Sequence, residues 1–402
     1  MDITIFPKKL CGTVSAIPSK SQAHRLMICA ALSDEGTVLL CPQTNQDIEA
    51  TAECLSILDA TTVRIEEGYE VTPFDHISHS LPPSAYLNVH ESGSTLRFLL
   101  PIVAALGVDT IFKMQGRLSK RPLSPLWEEM ERMGCTLKWI SEDELHVTGK
   151  LLPGDFYIDG GVSSQFITGL LFAASLLDGE SRIHIRGKLQ SKPYVEMTQK
   201  AMALFGVDTK DLVVKGGQNY KSPGTVKVEG DWSNAAFFLA AQALGNQVSV
   251  TNLDPASPQG DRAAADWLCQ LRHYCVISAA DIPDLVPILA VVAAAKHGAV
   301  FTDIQRLRMK ESDRVASTIG MLKALGICAK ATEDKLLVYP GRFTGGIVDA
   351  VNDHRIAMAA AIAATIAQGP VRILGAECVR KSYPGFWEEY KHLGGEYELY
   401  LR

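Results

Sequence analysis

Six stretches of the chain share one pattern: a polar opening, an Ala- and Leu-rich run, and a closing glycine. They are SQAHRLMICAALSDEG, GSTLRFLLPIVAALG, SSQFITGLLFAASLLDG, SNAAFFLAAQALG, PDLVPILAVVAAAKHG and DHRIAMAAAIAATIAQG. The glycines Gly36, Gly107, Gly179, Gly245, Gly298 and Gly369 recur about every 70 residues, with one shorter interval between the fourth and fifth. Each run is apolar on nearly every face, which suits a buried helix and not an amphipathic surface one. Each glycine suits a helix C-terminus. A second, more amphipathic helix is expected after most runs, ending in tags such as MERMGC, MALFGV, MLKALGI and YKHLGG. The β-rich segments VLLCPQ, IFKMQG, RIHIRG, VSVTNL, AVFTDI and VRILGA follow the buried helices almost at once. The unit reads as strand, buried helix, strand, strand, helix, strand, repeated six times.

Units of this size are too large for a simple solenoid, and 402 residues exceed what one hydrophobic core usually holds. Two sets of three units are expected. The turn-rich stretch GGQNYKSPGT, residues 216–225, lies between the third and fourth units and marks the expected crossover. The N-terminal strand DITIFP is assigned to the second set. The expected domains are 1–15 with 226–402, and an inserted domain 16–225, with the active site in the cleft between them.

With 47% hydrophobic and 21% charged residues the chain is globular and not disordered. A net charge of −6 gives no general attraction to nucleic acid or anionic membrane, so anions must be captured locally. Aromatic platforms for single-stranded nucleic acid are also scarce, at 7%. The opening MDITIFPKKLCG has no basic segment leading into an apolar core, and no apolar run reaches a membrane span without interruption. The nine cysteines are scattered without a CxxC pair and are expected as reduced thiols of a cytoplasmic protein. His76 and His79, with Asp75 alone beside them and no cysteine near, do not make up a metal-ligand set, so no metal is expected.

The buried runs begin with N-cap residues, and helix N-termini attract anions. Basic residues sit in the same openings: Lys20 and Arg25, Arg97, and His354 with Arg355. The segment LRMKESDR, residues 307–314, packs charges of both signs into a few positions. Taken alone, its Lys310 to Asp313 and Glu311 to Arg314 spacings describe ordinary helix-surface pairs.

Ten motifs in order, PSKSQAHR, ESGSTLRFL, LSKRPLSPL, VSSQFITGLL, SKPYVEMT, VEGDWSNAAFFLAA, IPDLVPILA, LRMKESDR, NDHRIAMA and KSYPGFW, resemble the 3-phosphoshikimate 1-carboxyvinyltransferases, or 5-enolpyruvylshikimate-3-phosphate synthases. The resemblance runs from the first strand to the last helix. It implies an α/β fold of two similar domains, each of three βαβαββ-type units with buried parallel helices, the inside-out α/β barrel of enolpyruvyl transferases. It also implies closure of the domains over the substrates. The implied reaction is transfer of the enolpyruvyl group of phosphoenolpyruvate to the 5-hydroxyl of shikimate 3-phosphate, on the route to chorismate and aromatic amino acids. The resemblance implies neither metal nor organic cofactor, and no macromolecular partner; a monomer is expected.

By motif position, the resemblance makes Lys20, Ser21 and Arg25 first-loop contacts, with Lys20 reaching both substrates. Gly93 and Arg121 match phosphoenolpyruvate contacts, and Arg97 supports the site or forms a structural ion pair. Ser163, Ser164, Gln165 and Ser191 match ligands of shikimate 3-phosphate, Gln165 also lying near phosphoenolpyruvate; Tyr194 lines the same pocket or belongs to the core. Asp284 matches the base for the 5-hydroxyl proton, against the plainer reading of an N-cap in IPDLVP. Glu311 is the candidate for proton exchange at the methylene carbon, with Lys20 its rival. Lys310 matches a sugar-phosphate contact, and Arg314, Arg355 and Lys381 match phosphoenolpyruvate contacts. His354 joins the acid–base network or orients Arg355, while Arg308 and Asp313 hold the turn. Addition and elimination on phosphoenolpyruvate need proton donors and acceptors among cations, which is why mixed charge is expected here.

The chain departs from the family pattern at PSKS, which lacks a glycine, at Glu91, where Asn is usual, and at Arg306. Two alternatives differ in kind. A UDP-N-acetylglucosamine enolpyruvyl transferase is expected to carry a reactive cysteine in the loop occupied here by KMQGRLSKRPL, which has none. A non-catalytic anion-binding protein would gain nothing from Asp284 and Glu311 beside its cations.

Overall fold

The computed structural model describes residues 1–74 and 81–400; His76 and His79 lie outside the described residues. The chain divides into two compact units, Pro18–Val228 and Met1–Ile17 with Glu229–Arg402. Each has its own core of buried side chains.

The unit Pro18–Val228 carries helices α1 (Lys20–Ala31), α2 (Gln46–Ile57), α3 (Gly93–Leu106), α4 (Leu126–Arg132), α5 (Ser164–Leu176) and α6 (Lys192–Leu204). Helices α1, α3 and α5 are the small-residue runs, and nearly every residue of α3 and α5 is buried, as all-round apolarity requires. Pro101 inside α3 has no N–H to offer the Arg97 carbonyl. Gly169 of α5 covers that spot, where a Cβ would stand 2.2 Å from Arg97 O and 2.8 Å from Pro101 Cγ, so only glycine lets the helices approach this closely.

The middle repeat shows the motif in full: strand Ser84–His90, α3, strand Asp109–Met114, α4, then strands Cys135–Trp139 and Glu144–Gly149. This βαβαββ order corrects the one read from the repeats, because both additional strands follow the second helix. The polar SED turn joins two alternating segments, which pair antiparallel as a hairpin. Ser84–His90 and Asp109–Met114 are parallel, and the hairpin joins through Glu144–Gly149. The closing glycines are also less uniform than expected. Gly107 caps α3 with φ 73°, whereas α1 and α5 end at Ala31 and Leu176, ahead of Gly36 and Gly179. After α1, Ser33 Oγ donates to Ala30 O, turning the chain out early.

The turn-rich stretch 216–225 packs into this unit. Tyr220 is buried with its hydroxyl 2.8 Å from Ser175 Oγ, and strand Thr225–Lys227 pairs parallel with Thr37–Leu40.

The second unit carries α7 (Trp232–Ala243), α8 (Ala264–Gln270), α9 (Val286–Ala295), α10 (Arg314–Ala324), α11 (His354–Ala364) and α12 (Phe386–His392). Helices α7, α9 and α11 pack together in its core. Strand Asp2–Phe6 lies antiparallel between Val371–Leu374 and Glu396–Tyr400, and Cys11–Ser15 runs parallel to Gln247–Thr251. Among the described residues, no helix is long and apolar enough to cross a membrane. The nine cysteines are unbridged, with five buried.

Candidate active site

In the second unit the acids and bases meet at the start of α10. Arg314, 1% exposed, donates from Nε to Asp353 Oδ2 at 3.0 Å, from Nη1 to Asp284 Oδ1 at 2.5 Å and from Nη2 to Glu311 Oε2 at 2.6 Å. Asp353 is also the N-cap of α11, accepting from Arg355 N at 3.0 Å, so one carboxylate both starts a helix and neutralises the arginine beside it. Asp284 does not cap α9, whose N-cap residue is Leu285 with no side-chain bond. Its second oxygen accepts from Arg355 Nη2 at 3.1 Å. Arg355 is itself buried, and its Nε and Nη1 have no hydrogen-bond acceptor among the described residues. Buried N–H donors of a charged group call for an anion.

The electrostatics follow from this packing. Burial opposes ionisation of Asp284, but Arg355, Arg314 and Lys310 outweigh it and hold the carboxyl well below the usual range. Burial is also the largest influence on Lys310; helped by Arg306 and Arg314, it overcomes Asp284 and Glu311 and pushes the ammonium down to about 8. The burial of Arg314 is outweighed by Asp353, Glu311 and Asp284, which keep it firmly charged.

The helix-surface reading of LRMKESDR is therefore corrected. Gln305–Met309 forms a 3-10 turn and α10 begins only at Arg314, so Glu311 and Arg314 pair across the entry to the helix, with the arginine sealed from solvent. Asp313 caps α10 through Val315 N and Ala316 N, and is paired with Arg308 at 3.5 Å. His354 is buried in the first turn of α11. Lys381 ends the turn Ala376–Lys381 and donates to Asn352 O at 2.9 Å, next to Asp353.

A second cluster lies in the unit Pro18–Val228, at the N-termini of α1, α3 and α5. Gln165 Oε1 accepts from Arg97 Nη1 at 3.3 Å, and its Nε2 donates to Ser94 Oγ at 3.0 Å. Arg97 and Arg121 both press on Gly93, where a Cβ would lie 2.7 and 2.8 Å from their Nη1 atoms. Lys20 forms a 2.7 Å ion pair with Asp47, both side chains largely buried. Behind it a buried chain of hydrogen bonds, His24 to Thr51 to Thr95 to Ser92, ties α1, α2 and the cap of α3 together. Ser163 caps α5 and Ser164 is buried beside it.

Arg25 is engaged throughout. Its Nε donates to Thr198 Oγ1, Nη1 to Ser21 O, and Nη2 to Thr168 Oγ1 and Tyr194 O, while its guanidinium lies 4.9 Å from the Phe98 ring centroid. Burial lowers its pKa to about 10. Arg25 thus joins α1, α5 and α6, the last of which has as its N-cap residue Ser191, buried and in the left-handed region with φ 55°.

Two members of these clusters were not anticipated from the sequence. Asp353 was visible only as a cap-type residue in NDHR, and Asp47 had no signal, since it meets Lys20 from 27 positions away.

The sequence matches the family described as EPSP synthase (3-phosphoshikimate 1-carboxyvinyltransferase) over residues 6–278 and 272–390. A 3-phosphoshikimate 1-carboxyvinyltransferase of Clostridium kluyveri is 39% identical, over 98% of this chain and 97% of the relative. One from Clostridium perfringens is 38% identical over 98% of both. Among solved structures, an EPSP synthase from Acinetobacter baumannii superposes with a TM-score of 0.80 over 99% of this chain and all of that one, at 23% identity, a likeness of fold. The chain belongs to the EPSP synthase (3-phosphoshikimate 1-carboxyvinyltransferase) family.

Proposed function

We propose that this protein transfers the enolpyruvyl group of phosphoenolpyruvate to the 5-hydroxyl of shikimate 3-phosphate, giving 5-enolpyruvylshikimate 3-phosphate and phosphate. The observation that carries this reading is the Asp284–Arg355 pair: a carboxylate held ionised by two arginines, one of which keeps two buried N–H donors without an acceptor among the described residues. A carboxylate anion placed on those donors draws Arg355 off Asp284. The proton affinity of Asp284 then rises, and it becomes a competent base only when the substrate is bound.

In the addition step the 5-hydroxyl oxygen bonds to C2 of phosphoenolpyruvate and its proton passes to Asp284. The methylene carbon takes a proton, from Glu311 with Lys20 as the rival donor, and becomes a methyl group. In the elimination step the C2–O bond to phosphate breaks, Asp284 passes the hydroxyl proton to the leaving phosphate, a methyl proton returns to the group that donated it, and the double bond re-forms. Glu311 sits one arginine away from Asp284, since both bind Arg314, so proton donor and acceptor share one cation.

In this reading Arg314, Arg355 and Lys381, with Gly93, Arg121, Gln165 and Lys20, bind phosphoenolpyruvate. Ser21, Arg25, Ser163, Ser164, Gln165, Ser191, Asp284, Lys310 and Lys20 bind shikimate 3-phosphate, and His354 orients Arg355. Transfer to UDP-N-acetylglucosamine is disfavoured because the nearest cysteine beyond the KMQGRLSKRPL loop, Cys135, is buried, which pushes its thiol up to about 12. Phosphate release from phosphoenolpyruvate, run in parallel with each acceptor, tests the reading. Release with shikimate 3-phosphate alone is expected; release with UDP-N-acetylglucosamine alone, or with neither, contradicts it.

A further inference from the structure

An irregular piece of chain leads into α3. Pairing of Ser84–His90 with Asp109–Met114 slips by one residue between Asn88 and His90. His90 then enters the left-handed region at φ 48°, steadied by its N–H, which donates to Asn88 Oδ1 at 3.1 Å. A slip of this kind re-aims the side chain that follows, here Glu91. Its carboxyl lies against Gly116, where a Cβ would stand 2.7 Å from Glu91 Cδ and Oε2, and Gly116 is itself left-handed at φ 59°. Space and conformation both require glycine there. Next to this contact, Gln115 N donates to His90 O at 2.7 Å.

Gly116 opens the turn that delivers Arg121. Leu118 N donates to Gln115 O at 3.2 Å, and Lys120 N to Arg117 O and Arg121 N to Leu118 O at 3.1 Å. The turn ends with the Arg121 guanidinium against Gly93, two residues from Glu91, and Arg97 holds its far side by donating to Pro122 O at 3.2 Å. These contacts close a ring, from Glu91 to Gly116, along the turn to Arg121, and from Arg121 to Gly93. We propose that Glu91 is a positioning residue for Arg121, fixing the turn 115–121 so that the guanidinium stays at the start of α3. It rests on the reading of Arg121 as a phosphoenolpyruvate contact given above. Charge favours the same arrangement. Arg117, Lys120 and Arg121 gather in a turn beside a helix end that is itself partly positive and has no acidic residue in its first turn, so the Glu91 carboxylate balances them. Asparagine, usual here in the family, is one methylene shorter and uncharged, which makes it the substitution to test.

In Glu91→Asn the KM for phosphoenolpyruvate should rise about 5-fold, the size of a typical coupling between two sites, with kcat at saturation held. Placed on Arg121→Gln, the same substitution should change KM no further, because the residue it acts through is gone. A KM that stays level or falls in Glu91→Asn, or an equal rise in both backgrounds, overturns the proposal. Absence of transfer by the unaltered protein is a failure of the functional reading instead, and amide hydrogen exchange of the ligand-free protein then decides the matter. Residues 115–121 should exchange about 5-fold faster in Glu91→Asn, with α3 unchanged. Exchange over 115–121 equal to that of the unaltered protein overturns the positioning role; should Arg121→Gln not fold, the KM and the exchange of Glu91→Asn together form the test.

Discussion

Arg314 and Asp353 meet at 3.0 Å with 1% and 0% of their side chains exposed. A pair this deep has lost its hydration on both sides, so it is held by its geometry and by the bonds that Ser312, Asp284 and Glu311 add around it. Removing the Asp353 charge strips Arg314 of its most deeply buried counter-charge and leaves it only Asp284 and Glu311. Asp353→Asn keeps an oxygen to cap α11 but should cost about 3 kcal/mol or more in chemical denaturation, the range for breaking a buried pair. A change below about 0.5 kcal/mol, the scale of a surface substitution, would show that Asp353 acts as a cap alone.

Lys310 gives a pH dependence of definite sign. Its ammonium titrates at about 8, below its ordinary value, so raising the pH from 7 to 9 removes a cation from the site. On the proposed reading that Lys310 binds shikimate 3-phosphate, binding followed by calorimetry should weaken by about 10-fold across that interval, the order expected for loss of one charge-assisted contact. Lys310→Arg, which stays protonated, should flatten the curve. A lowered lysine also burdens the fold below its folded pKa, where the unfolded chain holds the proton more readily, and that burden lifts between pH 8 and 10.5.

Glu311→Gln tests the proton exchange at the methylene carbon. It keeps an acceptor for Arg314 Nη2 but cannot deliver or take the proton, so turnover should fall by roughly 10²-fold with substrate binding largely intact. Unchanged turnover would reduce Glu311 to a counter-charge for Arg314.

The buried helices were legible because an all-round apolar run has few other places to go, and the cap residues at their openings follow from local chemistry alone. Strand order within the repeat was given by the family resemblance and not by the repeats themselves, since it depends on which segments pair, and a short apolar stretch carries no address for its partner. The site divides in the same way. Family motifs brought Asp284, Glu311, Arg314 and Arg355 into view, but Asp284 lies 30 positions from one arginine and 71 from the other, so their sharing of it could not be read from spacing. The partners Asp47 and Asp353 show themselves only when the helix N-termini are assembled.

Arg25 separates binding from scaffolding. Its guanidinium already bonds Ser21, Thr168, Tyr194 and Thr198, so Arg25→Lys, which cannot reproduce the planar fork, should destabilise the protein by about 2 kcal/mol as well as weaken shikimate 3-phosphate binding. Thermal melting with and without ligand distinguishes the two effects. Weaker binding at unaltered stability would mean that these bonds contribute little to the fold.

The central claim is that Asp284, released from its arginines by the substrate anion, is the base for the attacking hydroxyl. The direct measurement is the turnover of Asp284→Asn beside its affinity for phosphoenolpyruvate. Asparagine should lower turnover by about 10²- to 10⁴-fold, the contribution of a general base, while phosphoenolpyruvate binds equally well or more tightly because Arg314 and Arg355 lose a competing carboxylate. Turnover within a few-fold of the unaltered protein, or loss of phosphoenolpyruvate binding with turnover preserved at saturation, would contradict the claim and leave Asp284 as a structural counter-ion.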